Sequence, residues 1–218
     1  MNEIDSDDEL QVLKRWWDEN GTSILFSVFV VLAGIIGWNW WQGDQANKME
    51  QSYRAFNNLV TELDAVDSTG DDLRIAQADF IAAEIKDNFP DSYYASFAAF
   101  LKAKQAVADK DLDAAIQELQ WVADKNPSQE IFLTAKFRLA KVYFAQDDYD
   151  AALAELDVVD AGSFAMMYSE LRGDIYLSQQ NYSSAVEAYE LAIASAESGL
   201  VTASPLLAEK LAYSNSFL

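Results

Sequence analysis

From Thr22 to Trp41 the chain reads TSILFSVFVVLAGIIGWNWW, twenty positions without a charged residue. At about 1.5 Å rise per residue, a helix of that length spans roughly 30 Å, the thickness of a bilayer's hydrocarbon core. A helix satisfies its own backbone hydrogen bonds and can therefore sit in lipid. Trp16 and Trp17 stand before the run, and Trp38, Trp40 and Trp41 close it. Five of the six tryptophans thus bracket one segment, as an interfacial aromatic belt does. A core helix of a soluble protein rarely runs so long without a charge. A cleaved signal peptide has a shorter apolar run, a basic lead-in and a small-x-small site, whereas this lead-in is long and mostly acidic. The run predicts a single transmembrane helix over 22–41, a tail over 1–21 and a separate domain over 45–218.

The part after the anchor is the right size for one domain. The chain has no cysteine and no histidine. That excludes Ser-His-Asp and Cys-His nucleophilic chemistry, thiolate redox work and ordinary zinc sites. Of 218 residues, 15 are basic and 36 acidic, a net charge of −21. Beyond the anchor stand 13 bases and 29 acids, net −16. Such a domain repels nucleic acid and anionic lipid, and its overall pull is on basic or unfolded segments.

Residues 1–8 are acidic and read as disordered. Leu10, Leu13 and Trp17 then follow at helical spacing, and Asn20-Gly21 reads as a helix stop. The expectation is a short amphipathic helix on the membrane surface, followed by a turn into the anchor. Lys14 and Arg15 lie before the anchor, and Lys48 and Arg54 after it. The two bases in the short tail lean towards a cytoplasmic N-terminus. Past Gly43, Met49, Tyr53, Phe56, Val60 and Leu63 keep the helical period, until Ser68-Thr69-Gly70-Asp71 breaks it. No later stretch alternates with period two, so the domain reads as all-helical.

Its helices repeat. DKDLDAAIQEL (109–119) resembles AQDDYDAALAEL (145–156) and SQQNYSSAVEAY (178–189). Ala115, Ala152 and Ala185 are equivalent, spaced 37 and 33. Units of about 34 residues made of two helices are the tetratricopeptide pattern. Two helices approach closely only where one side is small, and a larger neighbour fills the gap. The sets are Ala103, Ala106, Ala115, Leu119 and Val122; then Leu139, Ala140, Tyr143, Ala152, Leu156 and Val159; then Gly173, Tyr176, Ala185, Tyr189 and Ala192. Residues 45–90 read as a degenerate leading unit, with Ala78 and Ile85 in place. Ser204-Pro205 starts a last helix that caps the stack.

A solenoid of such pairs has a concave face lined by the first helix of each pair. The repeat frame puts Phe97, Phe100, Lys104 and Val107 there in the first unit, and Thr134, Phe137, Lys141 and Phe144 in the second. Met167, Glu170, Asp174 and Leu177 form an acidic third row. Exposed aromatics with few charges suit apolar peptide segments, so Phe97, Phe100, Lys104, Phe137, Lys141 and Phe144 are the candidate partner or client residues. The competing expectation for each phenylalanine is a place in the core.

Asp109, Asp111 and Asp113 have the spacing of a calcium loop, but the sixth position is Ala114 and the twelfth Gln120. A calcium loop needs glycine and glutamate there, so an N-capped turn between helices is the better reading. No catalytic frame, metal site or cofactor motif is present in the sequence, and an enzyme is not expected.

The order of parts resembles a known family. VLKRWWDENG, an anchor ending in GWNWW, a tetratricopeptide-like domain and a closing SPLLAEKLAYSNSFL are similar to the ancillary subunit of the bacterial Sec translocon, the YfgM family. The most specific pieces are Lys14 to Gly21 and Gly37-Trp38. The resemblance implies a single-pass inner-membrane protein of a Gram-negative bacterium, N-terminus cytoplasmic and domain periplasmic. It implies association with SecYEG and with the membrane-anchored periplasmic chaperone PpiD. The implied role is non-enzymatic: passing emerging, unfolded polypeptides from the channel to periplasmic chaperones. A restraint on an envelope-stress regulator is also attributed to the family. A scaffold for one fixed partner is the alternative that the residues themselves leave open.

Overall fold

The computed structural model describes residues 4–69, 72–199, 203 and 205–218. Among these residues every regular element is helical, in the order α1 (Ile4–Thr69), α2 (Asp72–Asn88), α3 (Tyr93–Ala108), α4 (Leu112–Lys125), α5 (Gln129–Ala145), α6 (Tyr149–Leu156), α7 (Ala165–Ser178), α8 (Tyr182–Ser198) and α9 (Pro205–Asn215). A short 3-10 turn, Gly162–Phe164, precedes α7. The chain divides into two units, Met1–Gln51 and Ser52–Leu218.

The first unit is a single run of helix. Its side chains Phe26, Val28, Val30, Val31 and Leu32 point in different directions around the axis, and all are exposed. A helix that is apolar all round needs an apolar surrounding. The segment is long and apolar enough to cross a membrane. Two expectations are corrected here. The helix already includes Ile4, so the acidic tail is not wholly without structure; a helix N-terminus favours negative charge. Asn20-Gly21 is not a stop, because α1 runs through it. The Asn20 amide donates back to the Trp16 carbonyl at 3.0 Å. Gly21 is buried beneath the Trp17 ring, where a Cβ would come within 3.0 Å of it. The glycine serves a close approach rather than a left-handed turn.

The second unit stacks helix pairs. The end of α1 and α2 share a core of Leu59, Ala78, Ala82 and Ile85 with Ala95 and Ala98 of α3. This core lies within the leading unit expected over 45–90, of which 45–51 belong to the first unit; its break at Gly70-Asp71 lies outside the described residues. The pairs α3–α4, α5–α6 and α7–α8 follow. Ala115, Ala152 and Ala185 are fully buried. Each stands five residues after a non-glycine residue in the left-handed region: Lys110 (φ 63°), Asp147 (φ 60°) and Gln180 (φ 59°). The next residue in each case caps the second helix. Asp111, Asp148 and Asn181 accept from the amides of Ala114, Ala151 and Ser184. Three turns of one geometry lead into three equivalent helices. Asp111 is the cap of the N-capped turn expected at the calcium-like spacing.

The second unit of the repeat departs from its frame at one residue. Val159 was placed in the core with Val122, but Val159 is fully exposed while Val122 is buried. Helix α6 stops at Leu156, and Asp157 (φ −81°, ψ 80°) makes a tight turn in which the Val158 amide donates to the Leu156 carbonyl at 3.0 Å. The Arg172 guanidinium donates to the same carbonyl at 2.9 Å. Helix α9 packs on α8, with Leu207 buried among Ala185, Tyr189 and Ala192. It covers the apolar end of the stack, as a terminal helix must; Ser204, ahead of it, lies outside the described residues.

Candidate functional site

The first helices of the pairs spend their small residues on packing. Ala95, Ala98, Ala99 and Ala103 of α3 are buried, as are Ala135 and Ala140 of α5. Large side chains are left for the other face. Ser92 caps α3 by accepting from Ala95 N, and Ser128 caps α5 by accepting from Ile131 N. The two helices then flank a cleft of about 790 Å³. Leu112 and Leu119 of α4 form its floor, and Phe56 closes one end.

Four residues of the first predicted row line this cleft: Phe97, Phe100, Lys104 and Val107. From the second row Thr134 and Lys141 line it. Phe97 is 40% exposed, and its ring meets Phe56 and Tyr94 at 6.2 and 6.3 Å. Phe100 is 8% exposed and belongs to the core as much as to the cleft. Phe137 and Phe144 are not among the lining residues. Phe137 stacks on Tyr168 at 5.8 Å, and Phe144 packs on Tyr149 at 6.0 Å. For these two the core expectation describes the geometry.

The repeat frame missed Arg138. It lines the cleft, and its guanidinium lies 4.3 Å from the centre of the Phe100 ring. A cation held over a ring gains from the ring's quadrupole. Loss of water around the guanidinium lowers its pKa from the ordinary arginine value. The signal was in the spacing: Thr134, Arg138 and Lys141 stand at i, i+4 and i+7, one helix face. Phe137, at i+3, shares that stripe, so spacing alone did not separate it from Arg138.

The third row is not open. Lys210 of α9 donates to Glu170 at 2.8 Å and to Asp174 at 2.9 Å. The Tyr189 hydroxyl also donates to Asp174, at 2.8 Å. Leu177 packs against the α9 core. Burial, with help from the Asp174 and Glu170 charges, pushes the Tyr189 phenol far above its ordinary value. Met167 stays 38% exposed.

In the first unit, Trp16, Trp17, Trp38, Trp40 and Trp41 are all exposed, between 48% and 75%. Trp38 and Trp41 meet at 5.2 Å between ring centres. No group of three or more acids among the described residues could hold a metal ion.

The family model described as "Tetratricopeptide repeat-like domain" matches residues 14–213. Curated relatives named "Ancillary SecYEG translocon subunit" align with most of the chain. The protein of that name from Aggregatibacter actinomycetemcomitans is 30% identical over 189 residues, 87% of this chain and 89% of the relative. The one from Haemophilus influenzae is 29% identical over 189 residues, again 87% and 89%. The one from Escherichia coli K12 is 28% identical over 188 residues, 86% and 87%. The family match begins at Lys14, ahead of the apolar run, so the shared sequence takes in that run as well as the stacked helices. The chain belongs to the tetratricopeptide repeat-like family of ancillary SecYEG translocon subunits.

Proposed function

We propose that this chain is a non-enzymatic, membrane-anchored adaptor of the Sec translocon, with the α3–α5 cleft as its polypeptide-binding surface. The observation that carries the reading is likeness to curated translocon subunits over 86–87% of the chain, with the repeat-like family model matching 14–213. The tail over 1–21 is cytoplasmic, 22–41 spans the inner membrane between the tryptophans, and 45–218 lies in the periplasm. There the cleft receives emerging segments and passes them to periplasmic chaperones of the PpiD type. The apolar floor of the cleft suits unfolded segments, whose apolar side chains are not yet buried. A cytoplasmic domain would favour the stress-regulator role instead.

The test uses full-length chain with an affinity tag, extracted from native membranes in mild detergent. SecYEG co-isolates in stoichiometric amount if the reading holds, and protease added to intact spheroplasts digests 45–218. Absence of SecYEG from the isolate overturns the translocon assignment. Protection of the domain until lysis overturns the periplasmic one.

A further inference from the structure

Six basic residues of this acidic chain make ion pairs. Lys48 pairs with Asp44, Arg74 with Glu62, Lys86 with Glu118, Lys102 with Asp79, Lys136 with Glu155, and Lys210 with Glu170 and Asp174. Lys104, Arg138 and Lys141 share one surface. None has an ion pair among the described residues, and all three line the one cleft. Arg138 faces the Phe100 ring, and Lys141 lies 5.9 Å from the Phe137 ring centre. Glu130 is the acid in the cleft wall. Its carboxylate is held by its own backbone amide and the Ser128 hydroxyl at the start of α5, which lowers its pKa. None of the three cations is ion-paired to Glu130 among the described residues.

We propose that the cleft selects segments in which acidic side chains are set among apolar ones, with Arg138, Lys104 and Lys141 reading the carboxylates and the floor taking the apolar groups. This rests on the cleft being the polypeptide-binding surface and names what it binds. The chain's overall negative charge alone predicts the opposite preference, for basic segments. Local geometry overrides it for two reasons. Charge-assisted hydrogen bonds act at contact distance, while the distant acids are screened by salt. An arginine fork already partly stripped of water also matches a carboxylate in two bonds.

The experiment uses the full-length chain in nanodiscs of neutral phosphatidylcholine. The probes are fluorescent peptides blocked at both ends, with leucines interspersed by glutamate, glutamine or lysine. A fourth probe is the glutamine peptide with a free C-terminus. The glutamate peptide is expected to bind about tenfold more tightly than the blocked glutamine peptide, as a short-range charge pair allows. Arg138→Gln combined with Lys141→Gln removes that ratio. Lys104→Gln lowers the ratio in part. Lys102→Gln, whose lysine is paired with Asp79, leaves it intact. Circular dichroism at rising temperature confirms that each variant folds. Equal binding of the glutamate and blocked glutamine peptides overturns the proposal and leaves a purely apolar cleft. Tightest binding of the lysine peptide overturns it in favour of control by net charge. Preference for the free C-terminus over internal glutamates overturns it in favour of end recognition. No binding by any peptide overturns the cleft's role itself.

Discussion

The Tyr189 ring occupies the place where a side chain on residue 173 would begin: a Cβ built on Gly173 lies 2.4 Å from Tyr189 Cε1. The equivalent pairs in the other units are Ala103 with Leu119 and Ala140 with Leu156, all buried. Size is conserved across each crossing, so the larger tyrosine demands the smaller partner. Gly173→Ala forces the ring or the helices apart, and overpacking of this kind costs about 1–3 kcal/mol. The double variant Gly173→Ala with Tyr189→Leu restores the pair used elsewhere and recovers part of the loss. A double-mutant cycle by urea unfolding measures this; purely additive costs would contradict the account.

Lys210 ties α9 to α7 through two carboxylates. Burial alone would lower its pKa, but hydrogen bonds and charge from Asp174 and Glu170 outweigh it and leave it raised. A raised folded pKa gives stability that is complete below the unfolded value, near 10.5 for lysine, and is lost as pH climbs through the folded one. The Tyr189 phenol, also raised, acts in the same direction from its ordinary value of 10 upward. Stability is thus expected to fall steeply above pH 10. Lys210→Met strands two half-buried acids, lowers stability by about 1–2 kcal/mol at neutral pH and flattens the alkaline fall. Urea midpoints at neutral and alkaline pH check both.

The aromatic candidates separate by burial. Phe100→Ala and Phe137→Ala remove rings from two cores, and each is expected to cost about 2–4 kcal/mol. Phe97 is 40% exposed, so Phe97→Ala is expected to cost less than about 1 kcal/mol while weakening peptide binding. Thermal melts alongside binding measurements give the order. A large stability loss at Phe97 with none at Phe137 would reverse the assignment of faces.

Gln180 holds φ 59° without being glycine. Its backbone amide donates to the Leu177 carbonyl, and the next amide reaches the Tyr176 carbonyl, both near 3.0 Å. Glycine adopts this conformation without a Cβ clash. Gln180→Gly is expected to raise stability by about 0.5–1 kcal/mol, whereas Gln180→Val lowers it. Unfolding midpoints of the two variants should move in opposite directions.

What the sequence carried openly was periodic or compositional. Twenty uncharged positions with flanking tryptophans mark the apolar helix, and Ala115, Ala152 and Ala185 mark the crossings. The helix-capping role of Asp111 was legible because a cap needs only local geometry. Features set by distant chain were not legible. Val159 leaves the core where α6 ends at Leu156, whose carbonyl accepts from the Val158 amide and from Arg172 on the next helix. Glu170 and Asp174 read as an open acidic row until Lys210, 36 to 40 positions away, is seen to neutralise them. Asn20-Gly21 carries stop residues, yet the helix on both sides and the Trp17 ring over Gly21 override local propensity. Arg138 escaped a frame copied from unit to unit, because that frame took i, i+3 and i+7 from Thr134 and passed over i+4.

The most direct measurement of the central claim places a photoreactive phenylalanine analogue at Thr134, inside the cleft. A second position is Glu187, exposed on α8. The full-length variants are irradiated in native membranes while a secretory chain is held in transit through SecYEG. The account predicts adducts between the transiting chain and position 134, and few from position 187. Equal adducts from both positions, or none from 134 while SecYEG still co-isolates, would contradict a cleft that receives emerging chains.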